Sequence, residues 1–217
     1  MKVVAISGWK RSGKDTAANY LVEEYGYTRV AFADVLKDMV AEEYNIPRNY
    51  CDDPDKKESA LEQYPVNPQD AFSTAIVNLM HGEFRTLAGK KPSSTSEQLY
   101  WTPRALCILK GSVNRSVTSK FWTQRAINIV RTFLTEDALR DLECNFVISD
   151  LRYKSEVAQL REAFGDDLVT IRVNRFDTCE STDASERDLD DGQFDIVIEN
   201  KESLSAFLRK LENGLDL

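Results

Sequence analysis

The 217-residue chain holds a single histidine, His81, and four cysteines, none at a short metal-ligand spacing. Cys51, Cys107, Cys144 and Cys179 with one histidine are too sparse for a zinc site, and scattered thiols in a chain this long are read as reduced. His81 is read as an incidental polar residue. Long hydrophobic runs are missing as well. The apolar stretch after Lys2 ends at Gly8, too short for a secretory core or a membrane span, which points to a cytoplasmic protein without a membrane partner. Positive charge is in deficit: 28 Lys and Arg against 36 Asp and Glu leave a net charge of −8. That balance argues against a broad electrostatic grip on nucleic acid but is compatible with a local basic pocket for a small phosphorylated molecule. Internal repeats and long low-complexity segments are also lacking.

What remains is ordinary for a globular protein, with 42% hydrophobic and 29% charged residues and enough length for one sizeable core. Lys2 to Ser7 reads as a strand buried on both faces. Lys14 to Tyr25 carries Ala17, Ala18, Leu21 and Val22 at helical spacing, and Gly26 stops it. Tyr27 to Phe32 is a second strand, and Asp34 is placed to cap a helix through about Tyr44. Thr102-Pro103 starts a helix to about Val113, and another runs from Ser119 to Leu134 or beyond. Cys144 to Ser149, Leu168 to Val173 and Phe194 to Ile198 are strands, with helices over Ser155 to Phe164 and Ser203 to Leu211. Strands alternating with helices argue for an α/β fold on a parallel sheet.

Two segments break the pattern of a single domain over 1–217. Residues 45–101 hold most of the prolines and the acidic run Asp52-Asp53-Pro54-Asp55, and read as an insertion with Ala71 to His81 as its best helix. Residues 174–192 read as lid-like, with a polar, acid-rich loop from Phe176 to Gly192. Arg172 and Arg175 precede it, and either belong to a lid that shields a reaction from water or are strand-end residues beside a solvated loop. Arg187 is read as solvated.

The densest chemistry lies at Gly8-Trp9-Lys10-Arg11-Ser12-Gly13-Lys14-Asp15-Thr16, which fits G-x-x-x-x-G-K with its hydroxyl one position late. Glycines let consecutive N–H groups turn inward toward phosphate oxygens, the next helix offers its positive end, and Lys14 can reach the β- and γ-phosphates. Asp15 stands where a Ser or Thr ordinarily helps hold magnesium. It either contacts the metal, faces the acceptor, or supplies favourable charge in the first helical turn; Thr16 is a phosphate or metal contact or a helix-start residue. The spacing is nearer the G-K-G-T of adenylate-kinase-type enzymes than the G-K-S/T of GTPases.

Further candidates lie at the end of the strand Phe146 to Ser149. Asp150 could orient magnesium or the acceptor, and Arg152 could neutralise a phosphate; a capping aspartate and a surface arginine are the alternatives. Arg104 and Arg115 suit phosphate binding. Trp122 offers a stacking face for a base or is a core residue.

Taken in order, these residues resemble the bacteriophage deoxynucleoside monophosphate kinases. The resemblance is carried by Ser7 to Thr16, Ala33-Asp34-Val35-Leu36-Lys37, Arg104 through Gly111 to Arg115, and Phe121-Trp122. It continues through Ser149-Asp150-Leu151-Arg152, Arg172 to Arg175, Ser185-Glu186 and Ile198-Glu199-Asn200. It implies transfer of the γ-phosphoryl of ATP to a deoxynucleoside monophosphate with Mg2+. The implied fold is a three-layer nucleoside-monophosphate-kinase type with a five-stranded parallel sheet, a helical acceptor-binding insertion and a lid loop. It puts Lys37, Arg104 and Arg115 near the acceptor phosphate, Arg152 and Arg175 near the transferred group, and Asn200 on the ATP side. It also leaves a homodimer open and, for a phage-encoded chain, implies the host cytoplasm. Cys107 departs from a frequent glutamine, Asp183 from a histidine and Asp34 from a proline, which touches base recognition and lid detail.

Two rivals are weighed. Animal-type phosphomevalonate kinases share a Lys-Arg-x-Ser-Gly-Lys-Asp loop and an Asp-x-Arg strand end, but Arg104 to Trp122 follows the nucleotide-kinase pattern better. A nucleotide-binding switch needs no second anionic pocket, and the arginines at 104, 115, 152 and 175 speak against it.

Overall fold

The computed structural model describes residues 1–66, 89–90, 99–138, 144–175 and 187–217. The expected helix at Ala71 to His81 lies outside them, as does most of the expected lid, including Asp183, Ser185 and Glu186. Contacts divide the chain into two compact units, Met1–Ala33 with Lys120–Leu217, and Asp34–Ser119.

The first unit is built on β1 (Val3–Ser7), whose five residues are all buried because a strand pairs on each side and helices cover its faces. Its neighbours are β5 (Phe146–Leu151) and β6 (Leu168–Asn174), with β2 (Thr28–Val30) and β7 (Ile196–Glu199) at the edges. Every pairing in the order β2-β5-β1-β6-β7 is parallel, so the α/β class and the five-stranded parallel sheet are as expected.

On one face, α1 (Lys14–Tyr25) and α6 (Leu204–Leu215) bury Ala17, Ala18, Leu21, Phe207 and Leu211 against Val4, Ile6, Ile171 and Val173. Gly26 closes α1 in the left-handed conformation, its N–H reaching the Leu21 and Val22 carbonyls. Strand alternation sends Thr170 to the other face. There Arg161 of α5 (Lys154–Phe164) donates to it, and Phe133 of α4 (Phe121–Ala138) meets Phe146.

The α2 helix (Phe32–Glu43) begins two residues before the expected cap, and β2 is correspondingly short. Asp34 is not its cap but sits within its first turn. The carboxylate at this helix end comes from β5: Asp150 accepts from the N–H groups of Phe32 (3.0 Å) and Ala33 (2.8 Å).

The second unit takes the rest of α2, a 3-10 turn at Arg48–Cys51, the short antiparallel pair β3 (Gly89–Lys90) and β4 (Leu99–Tyr100), and α3 (Pro103–Val117). Thr102 caps α3 by accepting from the Ala105 N–H, and the helix runs one turn past the expected end. Its core is Val40, Leu61, Trp101, Leu106 and Leu109. Among the described residues no helix is long and apolar enough to cross a membrane, and Cys51, Cys107 and Cys144 form no disulfide.

The Tyr20 and Tyr25 hydroxyls both donate to Glu212, tying α6 to α1, and hydrogen bonding from Tyr20 first holds the Glu212 carboxyl below its ordinary value. A depressed carboxyl contributes stability that is complete above the unfolded value of 4.5 and lost as pH falls through the folded one. Glu212→Gln should therefore lower the urea midpoint at neutral pH, with the gap to wild type closing below pH 4.5. A gap independent of pH would show that the charge contributes nothing.

Candidate functional site

The chain leaves β1 at Gly8, where a Cβ would stand 2.4 Å from Ser12 Oγ and 2.7 Å from the Val173 carbonyl. Only glycine lets the backbone pass. The loop then turns tightly, Ser12 N–H donating to the Trp9 carbonyl at 3.0 Å, with Arg11 in the left-handed region at φ 64°. Gly13, at φ 107°, leads into α1, and no side chain caps that helix. Its first N–H groups and its positive end thus face the loop, as an anion site requires.

Lys14 is buried and bends back to donate to the Trp9 carbonyl at 3.3 Å. Ser12 Oγ is buried and makes no hydrogen bond. A buried hydroxyl without a partner is costly in a finished core but suits a loop that closes on phosphate oxygens. The residues present therefore fit a nucleotide's phosphates. Asn200, just beyond β7, donates its amide to the Ser12 carbonyl at 2.8 Å and so pins the loop to the sheet. Lys10, Arg11, Asp15 and Thr16 are exposed.

Asp15 pairs with Arg29 of β2 at 3.2 Å, and Arg29 also donates to Ser149 and Asn19. Asp150 lies where the β1–β5 register slips, two residues opposing one, and such a bulge can re-aim a side chain. Beyond it, buried Glu156 accepts from the N–H groups of Arg152 and Tyr153, fixing the backbone that carries the half-buried Arg152. Arg175 follows β6 and is exposed. No cluster of three or more His, Cys, Asp or Glu suited to a metal occurs among the described residues. Magnesium bound with a nucleotide needs fewer, since one or two carboxylates plus phosphate oxygens suffice, and Asp15, Thr16 and Asp150 are the groups of the right chemistry.

Arg172 is buried inside β6 rather than at a strand end. It donates to Ser7 Oγ (3.0 Å) and to Asp190 (2.7 Å), and Asp190 also accepts from the Trp9 indole at 2.7 Å. Trp9, Arg172 and Asp190, with Asn174, Phe194 and Glu199, line a cavity of about 430 Å³. Sequence reasoning missed Trp9, Asp190 and Arg29. An arginine within a buried strand was the one available signal, and Asp190 gave none. Trp122 is 4% exposed, its ring edge-on to Phe121, so it presents no open face to a base.

In the second unit Lys37 pairs with Asp52 at 2.8 Å, and Arg48 lies among Asp34, Asp38 and Asp52. Partial burial acts to raise the Asp52 carboxyl, but hydrogen bonds and charge from Lys37 and Arg48 win and hold it low. Arg104 pairs with Glu58 at 3.1 Å, and Arg115, eleven residues on in α3, falls on the same helix face. Cys107 packs inward beside Cys51, and burial first, then the neighbouring thiol, pushes it up to about 12.

Residues 2–80 match the family model described as deoxynucleotide monophosphate kinase. The resemblance read from the sequence stands. The deoxynucleotide monophosphate kinase of Enterobacteria phage T4 is 27% identical over 95 residues, covering 42% of this chain and 39% of that protein. The chain is thus matched over well under half the relative's length, and the family match ends before Arg104, Arg115 and Asp150. Among solved structures, a dephospho-CoA kinase from Campylobacter jejuni aligns over 100% of this chain and 96% of its own, at 11% identity and a TM-score of 0.45. A Mycobacterium tuberculosis APS kinase in complex with AMPPNP and APS aligns over 100% and 98%, at 12% identity and a TM-score of 0.40.

Replacing Asp150 with alanine should free the start of α2. Amide exchange at Phe32 and Ala33 should quicken at least tenfold, and stability should fall by about 1–2 kcal/mol in urea titration. Unchanged exchange would contradict the capping role.

Proposed function

We propose that the protein transfers the γ-phosphoryl of ATP to a deoxynucleoside 5'-monophosphate, giving the diphosphate and ADP. The loop carries this reading: Ser12 has a buried hydroxyl without a partner, Lys14 is folded over the turn, and the family match begins in β1. In a two-substrate kinase such a loop holds the donor's phosphates.

The chain's own groups have defined tasks in that reaction. The loop N–H groups and the start of α1 bind the donor phosphates, while Lys14 leaves the Trp9 carbonyl for their oxygens. Lys37, Arg104 and Arg115 bind the acceptor's phosphate, and Arg152 and Arg175 offset the charge that develops on the transferred group. Magnesium, held by phosphate oxygens with Asp15, Thr16 or Asp150, would neutralise further charge when bound. The attacking atom is a phosphate oxygen. A phosphate monoester loses its second proton near pH 6, so the acceptor needs no strong general base, and Asp15 and Asp150 position rather than abstract. The reading carries with it an acceptor-side role for 45–101, a lid role for 174–192, and action on free nucleotides in the cytoplasm.

The test is ADP release against a panel of deoxynucleoside and ribonucleoside monophosphates, with phosphomevalonate as control. Stimulation by one or more deoxynucleotides is expected, and Lys14→Ala should reduce it at least 100-fold with the fold intact. No stimulation by any nucleotide would refute the reading, and stimulation by phosphomevalonate alone would replace it.

A further inference from the structure

Trp9 is the hub of the loop. Its carbonyl accepts both from the Ser12 N–H, which closes the turn, and from Lys14, which is parked on it. Whatever fixes the Trp9 peptide therefore fixes the shape of the phosphate cradle. Two contacts act on its side chain. The indole N–H donates in the ring plane to Asp190 at 2.7 Å, and the Arg172 guanidinium lies over the ring, 5.7 Å from its centroid.

Asp190 is itself anchored. Its N–H donates to the Arg187 carbonyl, Gly192 N–H closes the turn onto Leu189, and Leu189 is 3% exposed. Arg172, 7% exposed, donates to the same Asp190 oxygen that receives the indole. A buried guanidinium requires a carboxylate, so this pair holds Asp190 where the indole can reach it. Arg172 donates also to Ser7, the last residue of β1, so strand end, loop and Asp190 form one connected network.

We propose that Asp190 is a positioning residue for donor-nucleotide binding, acting through the Trp9 indole and held in place by Arg172. The inference rests on the donor-binding reading of the loop. It implies that losing the indole–carboxylate bond lets the Trp9 peptide swing, which disorders the Ser12 turn and the rest position of Lys14. ATP affinity should suffer, while affinity for the acceptor should not.

The experiment is calorimetric titration with ATP and Mg2+ of wild type, Asp190→Ala, Asp190→Asn, Trp9→Phe and the double variant Trp9→Phe/Asp190→Ala, with steady-state kinetics on each. Asp190→Ala should weaken ATP binding about tenfold, and Trp9→Phe, which keeps a ring but removes the N–H, about as much. The double variant should be no worse than Asp190→Ala alone, because the indole–carboxylate bond that Trp9→Phe removes is already lost there. Asp190→Asn retains an acceptor and should recover part of the affinity. The KM for ATP should rise with that for the acceptor unchanged. Wild-type affinity in Asp190→Ala, or losses that multiply in the double variant, would overturn the inference and leave the kinase reading intact. If wild type binds no ATP, the donor reading falls and the inference with it. Should Asp190→Ala fail to fold, Trp9→Phe and Asp190→Asn decide the matter: unchanged affinity in both overturns it.

Discussion

The close approach at Gly8 is the constraint on which the rest of the first unit turns. Ser12 Oγ and the Val173 carbonyl both stand where a Cβ at Gly8 would go. The loop can double back over the end of β1 only because that atom is missing. The same crowding locks the loop to its sheet, since Val173 lies in β6 and Asn200, just past β7, holds the Ser12 carbonyl. Three neighbouring strands thus meet at one turn. The parallel order, in which β1 has β6 on one side and β7 lies beyond it, is what brings those groups to the same edge.

Charge is managed locally in a chain whose net charge is −8. The buried cation Arg172 is neutralised by Asp190, while the half-buried Lys37 shares the exposed Asp52 with Arg48. These two arrangements differ in what a ligand can do to them. A pair that solvent reaches contributes about 0–1 kcal/mol, so under the proposed reaction an acceptor phosphate would draw Lys37 away at small cost. Breaking a buried pair leaves an uncompensated charge and costs several times more. Arg172 therefore fits a fixed part of the scaffold, and Lys37 a group that changes partner when substrate arrives.

What the sequence could disclose followed the range of the interactions. β1, α1 and the start of α3 were legible because their signals are local: a buried run, a left-handed Gly26, and Thr102 before Pro103. The start of α2 was misplaced because Asp34 has the chemistry of a cap, whereas the carboxylate at that helix end comes from Asp150, 118 positions away. Trp9 and Asp190 are 181 positions apart, and nothing in either neighbourhood announces the other. Arg172 was read beside a lid because alternation along a strand does not say which face is enclosed. The arginines at 104 and 115 were read from their chemistry and placed at the acceptor by resemblance, and the family match, ending at residue 80, leaves them as proposals.

The two aspartates suggested for a metal are not equivalent in the structure. Both Asp150 oxygens receive backbone N–H groups, at 3.0 and 2.8 Å, and hydrogen bonds to a charged group contribute about 1.5–3 kcal/mol each. Moving that carboxylate would also uncap α2. Asp15, by contrast, has a side chain 68% exposed and one ion pair, with Arg29, whose guanidinium keeps Ser149 and Asn19 as other partners. Turning Asp15 toward a cation therefore costs little and strands no buried charge. If a carboxylate must reorient when magnesium arrives with a nucleotide, Asp15 is the one free to do so. Asp150 would have to serve from where it stands. The residue that made the loop look irregular as a motif is thus the one whose surroundings leave it able to move.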